Sequence, residues 1–257
     1  MNRTALVTGA SAGLGLEFAH QLAGQGYDLL LVARREARLR DLMKQLAERY
    51  DVSVSIFAAD LCDRTAPAAI EDFAQERGIA VDFLVNNAGS AGPHLLDDRD
   101  WQEQADFLEL MMLSVAQMCH RFVPPMRERG FGRVINVSSF AGRLARPAGA
   151  NYGPAKAYLV ALSEELALDL KGSGVHVSAL CPGFTHTEFH EAADLMEMKR
   201  GLPGFLWYDA KTVVREGLDA VERGRAIYVS GRLYRWLDPF AQSVWVRPLF
   251  KALAPGR

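Results

Sequence analysis

The sequence predicts an α/β fold: one domain built on a doubly wound, parallel, seven-stranded sheet with helices on both faces. Three observations predict it. Apolar, β-rich runs near 3–8, 28–33, 52–59, 82–86, 131–138, 175–181 and 226–229 alternate with longer amphipathic stretches, the pattern of βαβ units. Several runs are apolar at every position, as in Leu29-Leu30-Leu31-Val32-Ala33, which suits strands covered on both sides. A glycine-rich turn follows the first run directly, and 257 residues suffice for one generous core.

Taken in order, the runs end on chemistry. After Ala5-Leu6-Val7 comes Thr8-Gly9-Ala10-Ser11-Ala12-Gly13-Leu14-Gly15, then an apolar-periodic segment from Leu16. Gly9 allows the tight turn, Gly13 lets backbone approach a pyrophosphate, and Gly15 lets helix and strand pack closely, while the helix start offers N–H groups to the anion. The second run ends at Ala33 with Arg34 and Arg35 next, and the third in Ala58-Ala59-Asp60-Leu61. By itself Asp60 reads equally as a turn or cap aspartate. The fourth ends in Asn86-Asn87-Ala88-Gly89, the fifth in Val137-Ser138-Ser139, and the sixth in Cys181-Pro182-Gly183. In an open sheet of this kind ligands lie at the carboxyl ends of the strands, where Gly9, Asn86, Ser139 and Pro182 converge. Tyr152-Gly153-Pro154-Ala155-Lys156 places a tyrosine and a lysine one helical turn apart on one face.

These motifs, in this order and register, resemble the short-chain dehydrogenase/reductase family over about residues 3–230. The resemblance implies a Rossmann fold and a catalytic set of Ser139, Tyr152 and Lys156, with Ser139 thirteen positions before the tyrosine. It also implies cofactor contacts from Gly9, Ser11, Gly13, Leu14, Gly15, Asp60, Leu61, Asn87, Ala88, Gly89, Tyr152, Lys156, Pro182 and Gly183, with Thr185 or Thr187 at the carboxamide. NAD-binding relatives carry a carboxylate after the second strand. Here Arg34 and Arg35 stand there instead, which favours the extra phosphate of NADP(H). The expected reaction is hydride transfer between the nicotinamide and an apolar or aromatic ketone, aldehyde or alcohol. Tyr152 is the general acid/base, its phenolate favoured by the Lys156 cation. In one respect the chain departs from the family: Met111 aligns with an asparagine that helps hold a water between the lysine and solvent. That departure supports an alternative, a non-catalytic NADP(H)-binding module of the same fold.

Composition narrows the remaining classes. A net charge of −2 gives no footprint for nucleic acid. Three scattered cysteines lack metal spacing and suit a reducing compartment, and Met1-Asn2-Arg3 leaves no room for a signal peptide, so a cytoplasmic location is expected. His186 and His190 stand at i and i+4, but Glu188 does not follow the first histidine as zinc hydrolysis requires, and no metal is expected. The reading divides the chain into a domain of 1–235, with a substrate lid at about 184–208 rich in aromatics and methionines, and an apolar tail of 236–257. The tail is suited to a partner subunit, the lid or a membrane surface. A homodimer or homotetramer joined through the helices at about 101–129 and 151–171 is expected.

Overall fold

The computed structural model describes residues 2–97, 99–144, 151–186 and 203–246. The first half of the chain runs β1 (Thr4–Thr8), α1 (Gly13–Gly24), β2 (Asp28–Ala33), α2 (Glu36–Arg49), β3 (Val54–Ala58), α3 (Ala66–Glu76) and β4 (Val81–Asn86). Next come α4 (Trp101–Leu108), a π-helical turn at Glu109–Leu113, α5 (Ser114–Glu128), β5 (Gly132–Val137), a 3-10 turn at Phe140–Gly142 and α6 (Tyr152–Asp169). The chain continues with β6 (Val175–Cys181), β7 (Thr185–His186), a 3-10 turn at Gly204–Leu206, β8 (Tyr208–Asp209), α7 (Ala210–Glu222), β9 (Ile227–Val229) and α8 (Arg232–Gln242).

All seven strands of the main sheet are parallel, in the order β3-β2-β1-β4-β5-β6-β9. The order reverses between β1 and β4, so a crevice opens at the carboxyl ends of those two strands. The apolar runs divide by parity. Leu29 and Leu31 of β2 pack with Phe18, Leu22, Leu39, Val214 and Leu218 from α1, α2 and α7, whereas Leu30 and Val32 pack with Ile70, Met118, Phe122 and Leu159 from α3, α5 and α6. Two cores, one per face, explain why these strands carry no polar alternation.

Three features lie beyond the sequence reading. β7 and β8 form a small parallel ladder, Thr185 opposite Tyr208 and His186 opposite Asp209, at the two ends of the expected lid. The long helix after β4 is interrupted by its π turn, where the Ser114 hydroxyl donates to the Leu110 carbonyl at 2.7 Å and Met111 is fully buried. Residues 236–242 continue α8, whose Asp238 holds Arg143 through two hydrogen bonds of 2.8 and 2.7 Å. Both side chains of that pair are about 15% exposed, and Gln242 adds a bond to the Arg143 carbonyl. The start of the C-terminal segment is thus tied to the loop that follows β5.

Candidate active site

Local packing decides where each candidate side chain points. The carboxyl ends of β1 and β4 are joined by Thr8, whose hydroxyl accepts from the N–H groups of Asn87 at 2.9 Å and Ala88 at 3.1 Å while donating to Val85 O. Asn87 returns the contact, its amide donating to Thr8 O at 2.9 Å and Gly9 O at 3.3 Å. A Cβ on Gly15 would lie 2.2 Å from Gly9 O, and Gly9 itself holds φ +65°, so neither position admits a side chain. Gly15 therefore acts behind the cleft, as a spacer, rather than in its wall.

One cleft of about 860 Å³ receives most of the predicted residues. Gly9, Ser11, Gly13, Leu14, Arg34, Arg35, Asp60 and Leu61 line one end, and Asn87, Ala88 and Gly89 its floor. Ser139, Tyr152, Lys156, Pro182, Gly183 and Thr185 line the other end. Thr187, and with it His190 and most of the expected lid, lies outside the described residues. α1 starts at Gly13 after Ala12, which supplies no side-chain cap, so its first N–H groups face the cleft without one. The Arg35 guanidinium reaches across to the Ser11 hydroxyl at 3.1 and 3.3 Å, whereas Arg34 leans 3.6 Å from Asp60. Asp60 also accepts from Cys62 N at 3.0 Å, so it is a turn aspartate whatever else it does. An uncapped helix start, a glycine floor and a cation beside a hydroxyl suit a dinucleotide carrying an extra phosphate.

At the other end the loop after β5 is pressed onto α6. Ser138 donates to the Lys156 carbonyl at 2.7 Å, and a Cβ on Gly142 would meet the Lys156 backbone at 2.6 Å. Ser139, in extended conformation, accepts from Ala141 N at 3.1 Å, which leaves its O–H for a substrate oxygen. Lys156 is buried, donates to Val137 O at 2.7 Å, and holds its ammonium 5.7 Å from the centre of the Tyr152 ring. Asn151, just ahead of Tyr152, donates to the buried Gln104 of α4 at 2.8 Å and so fixes the start of α6. Met111 packs with Phe107, Ala155 and the Tyr152 ring, and its sulfur accepts from Ser90 N at 3.5 Å. It fills with apolar volume the space behind the tyrosine.

Sequence reasoning missed Tyr234. From α8 it lines the cleft, its ring so close to Gly183 that a Cβ there would lie 2.0 Å away, and its hydroxyl donates to Leu206 O at 3.0 Å. With Phe140, Leu144 and Phe184 it makes this end of the cleft apolar, and Trp207 backs Phe184 at 5.1 Å between ring centres. The one available signal was Gly183 itself, a glycine the turn alone does not require. His186 stacks on Trp207 at 5.2 Å, and among the described residues no group of three His, Cys, Asp or Glu side chains is placed to hold a metal. Burial pushes the Cys62 thiol in the cleft up to about 11, so it stays protonated at neutral pH.

Comparison with known proteins agrees with this geometry. Residues 3–197 match the family model described as short chain dehydrogenase. Sulfoacetaldehyde reductase 2 of Chromohalobacter salexigens is 33% identical over 191 residues, 74% of this chain and 75% of that protein. The 3-oxoacyl-(acyl-carrier-protein) reductase of Staphylococcus epidermidis is 30% identical over 197 residues, 75% of this chain and 79% of its own length. Among solved structures, a short-chain dehydrogenase from Sphingobium yanoikuyae in complex with NADPH superimposes with a TM-score of 0.81 at 27% identity, covering 99% of this chain and 98% of that one.

The buried lysine generates a pH prediction. Burial takes the Lys156 ammonium from its ordinary 10.5 down to about 8. The unfolded chain is then the better proton binder between those two values, so stability rises with pH across that interval, and the cost of burying the charge is fully present below it. Relative to a Lys156→Met variant, the wild type should gain up to roughly 3 kcal/mol between pH 8 and 10.5. Matched urea titrations at the two pH values check this, and a pH-independent difference would contradict it.

Proposed function

The chain belongs to the short-chain dehydrogenase family, and we propose that within it this protein is an NADPH-dependent reductase of apolar or aromatic ketones and aldehydes. The observation that carries the proposal is the make-up of the cleft. Arg35 and Ser11 stand at one end, Ser139, Tyr152 and Lys156 further along, and Phe140, Phe184 and Tyr234 close the far wall. The NADPH complex of the Sphingobium relative supports the same cofactor.

Bound in this cleft, NADPH would supply the hydride. The glycine turn and the start of α1 would hold its pyrophosphate, with Ser11 and Arg35 at the 2′-phosphate. Asp60 and Leu61 would flank the adenine, and Asn87, Ala88, Gly89, Pro182, Gly183 and Thr185 the remainder. On the protein side, Ser139 donates to the substrate oxygen and Tyr152 delivers the proton that makes it a hydroxyl. At neutral pH an ammonium with a pKa of about 8 is still mostly charged, so Lys156 favours the phenolate left on Tyr152 and eases release of that proton. The apolar wall excludes water and selects hydrocarbon beside the carbonyl. A second reading, a cofactor-binding module without turnover, is favoured by one observation: Met111 puts a thioether behind Tyr152, at the position that the family resemblance aligns with an asparagine.

For the cofactor, NADPH should bind more tightly than NADH. Arg35→Ala should weaken NADPH by about 1.5–3 kcal/mol, the range for a hydrogen bond to a charged group, and leave NADH nearly unchanged. Arg34→Ala should cost less, because Arg34 leans toward Asp60 rather than Ser11. Titration calorimetry on both cofactors decides; equal wild-type affinities rule the assignment out.

For the chemistry, NADPH oxidation against a panel of ketones and aldehydes should find turnover on apolar members. Tyr152→Phe should abolish it while cofactor still binds, since only the transferable proton is lost. No turnover across the panel favours the second reading, and full activity in Tyr152→Phe removes the tyrosine from the mechanism.

For the departure at Met111, restoring the amide should raise kcat more than it changes KM, because a proton relay acts during turnover and not in substrate binding. Met111→Asn should also lose about 1–3 kcal/mol of stability, since the site is packed with apolar side chains and an amide has more polar atoms than the Ser90 N–H can satisfy. An unchanged kcat in a folded variant of normal cofactor affinity would show that proton supply does not limit this protein.

A further inference from the structure

Helix α8 has two unlike faces. Tyr234 and Ala241 are buried on the inner face, where Asp238 also meets Arg143, whereas Arg232, Trp236 and Phe240 follow one another at intervals of four along the outer face. Trp236 is 66% exposed and Phe240 44%, and their rings meet each other at 5.3 Å between centres. Val244 and Trp245, 78% and 85% exposed, follow the end of the helix in the chain. Single exposed apolar residues need no explanation, but two aromatic rings in contact on one exposed helix face, with an exposed tryptophan just beyond, do.

Charge identifies what covers it. From residue 232 onward the sequence carries Arg232, Arg235, Arg247, Lys251 and Arg257 against one acid, Asp238, although the whole chain is net negative. That acid is already engaged by Arg143. Arg235 is held by Glu216 at 3.2 Å, which leaves Arg232 as the exposed cation of the outer face of the helix. A second copy meeting this face by a two-fold axis would set the Arg232 face against the same face, with no acid on it to answer the cation. An anionic lipid surface suits both properties, taking indole rings at the headgroup level and arginines at the phosphates.

We propose that the outer face of α8 docks the protein on an anionic bilayer surface. The opposite face of the same short helix carries Tyr234 into the cleft, so docking would set this helix between the bilayer and the apolar end of the cleft. The inference goes beyond the catalytic reading and does not depend on turnover.

The test mixes the full chain with vesicles of phosphatidylcholine alone and of equal parts phosphatidylcholine and phosphatidylglycerol, read by co-sedimentation and by the blue shift of tryptophan emission. The expected result is binding to the anionic vesicles only, reversed by high salt and weakened about tenfold or more by the double substitution Trp236→Ser and Phe240→Ser. Arg232→Glu, at an exposed position outside the cleft, should weaken binding likewise while leaving the thermal midpoint unchanged. Wild-type protein that ignores anionic vesicles overturns the proposal, as does binding that survives all three substitutions. So does a wild-type dimer that binds no vesicles and that the double variant converts to monomer. An inactive protein that still binds vesicles leaves this proposal standing and counts against the catalytic reading alone.

Discussion

The contact on which the rest of the site depends is the joint between β1 and β4, made by Thr8 and Asn87. One hydroxyl accepts two backbone N–H groups and one side-chain amide spans two carbonyls, so the two strand ends are held together at four points. The joint brings β4 so near the glycine turn that a Cβ on Gly9 would lie 2.8 Å from the Asn87 amide. The absence of side chains in the turn and the presence of asparagine opposite are therefore one constraint seen from two strands. Everything at the carboxyl edge of the sheet, from Arg35 to Pro182, takes its place relative to this fixed point.

A buried polar chain extends the same logic under the floor of the cleft. Asn86 donates to Asn136 at 2.9 Å, Asn136 donates to Ser163 at 3.0 Å, and Ser163 donates to Leu159 O at 2.7 Å, linking β4, β5 and α6. Groups like these are costly to bury unless each finds a partner, and here each does. The consequence is directional: α6 sits against the sheet in one register, and Tyr152 and Lys156 inherit it. Lys156 bears the cost of that placement, since its ammonium is largely buried.

How much of this was legible in the sequence depended on distance along the chain. The strands were legible because residues such as Leu29 to Val32 are apolar on both faces, and the glycine turn because its spacing is local. Ser139, Tyr152 and Lys156 were chosen by register, and one cleft brings them together. Which arginine lies over the glycine turn was not legible, because Arg34 and Arg35 differ only in the side of the strand end from which they leave it. Nor was Tyr234 or the Arg143–Asp238 pair, whose members are 95 residues apart and carry no periodic signal. The π turn was hidden for the opposite reason: Glu109–Leu113 reads as ordinary helix, and only the packing of Met111 under Gly89 gives the extra residue a purpose.

Helix α8 also bears on when the molecule becomes complete. In the order of synthesis it follows every strand of the main sheet, so a ribosome-bound chain can assemble both cores and the glycine turn while Tyr234 and Asp238 are still inside the exit tunnel. During that interval Gly183 faces no ring, Arg143 has no carboxylate, and the loop after Ser139 lacks its outer tether. A chain without this helix would have its nucleotide cradle but an unfinished substrate wall, and the eleven residues of the helix complete it.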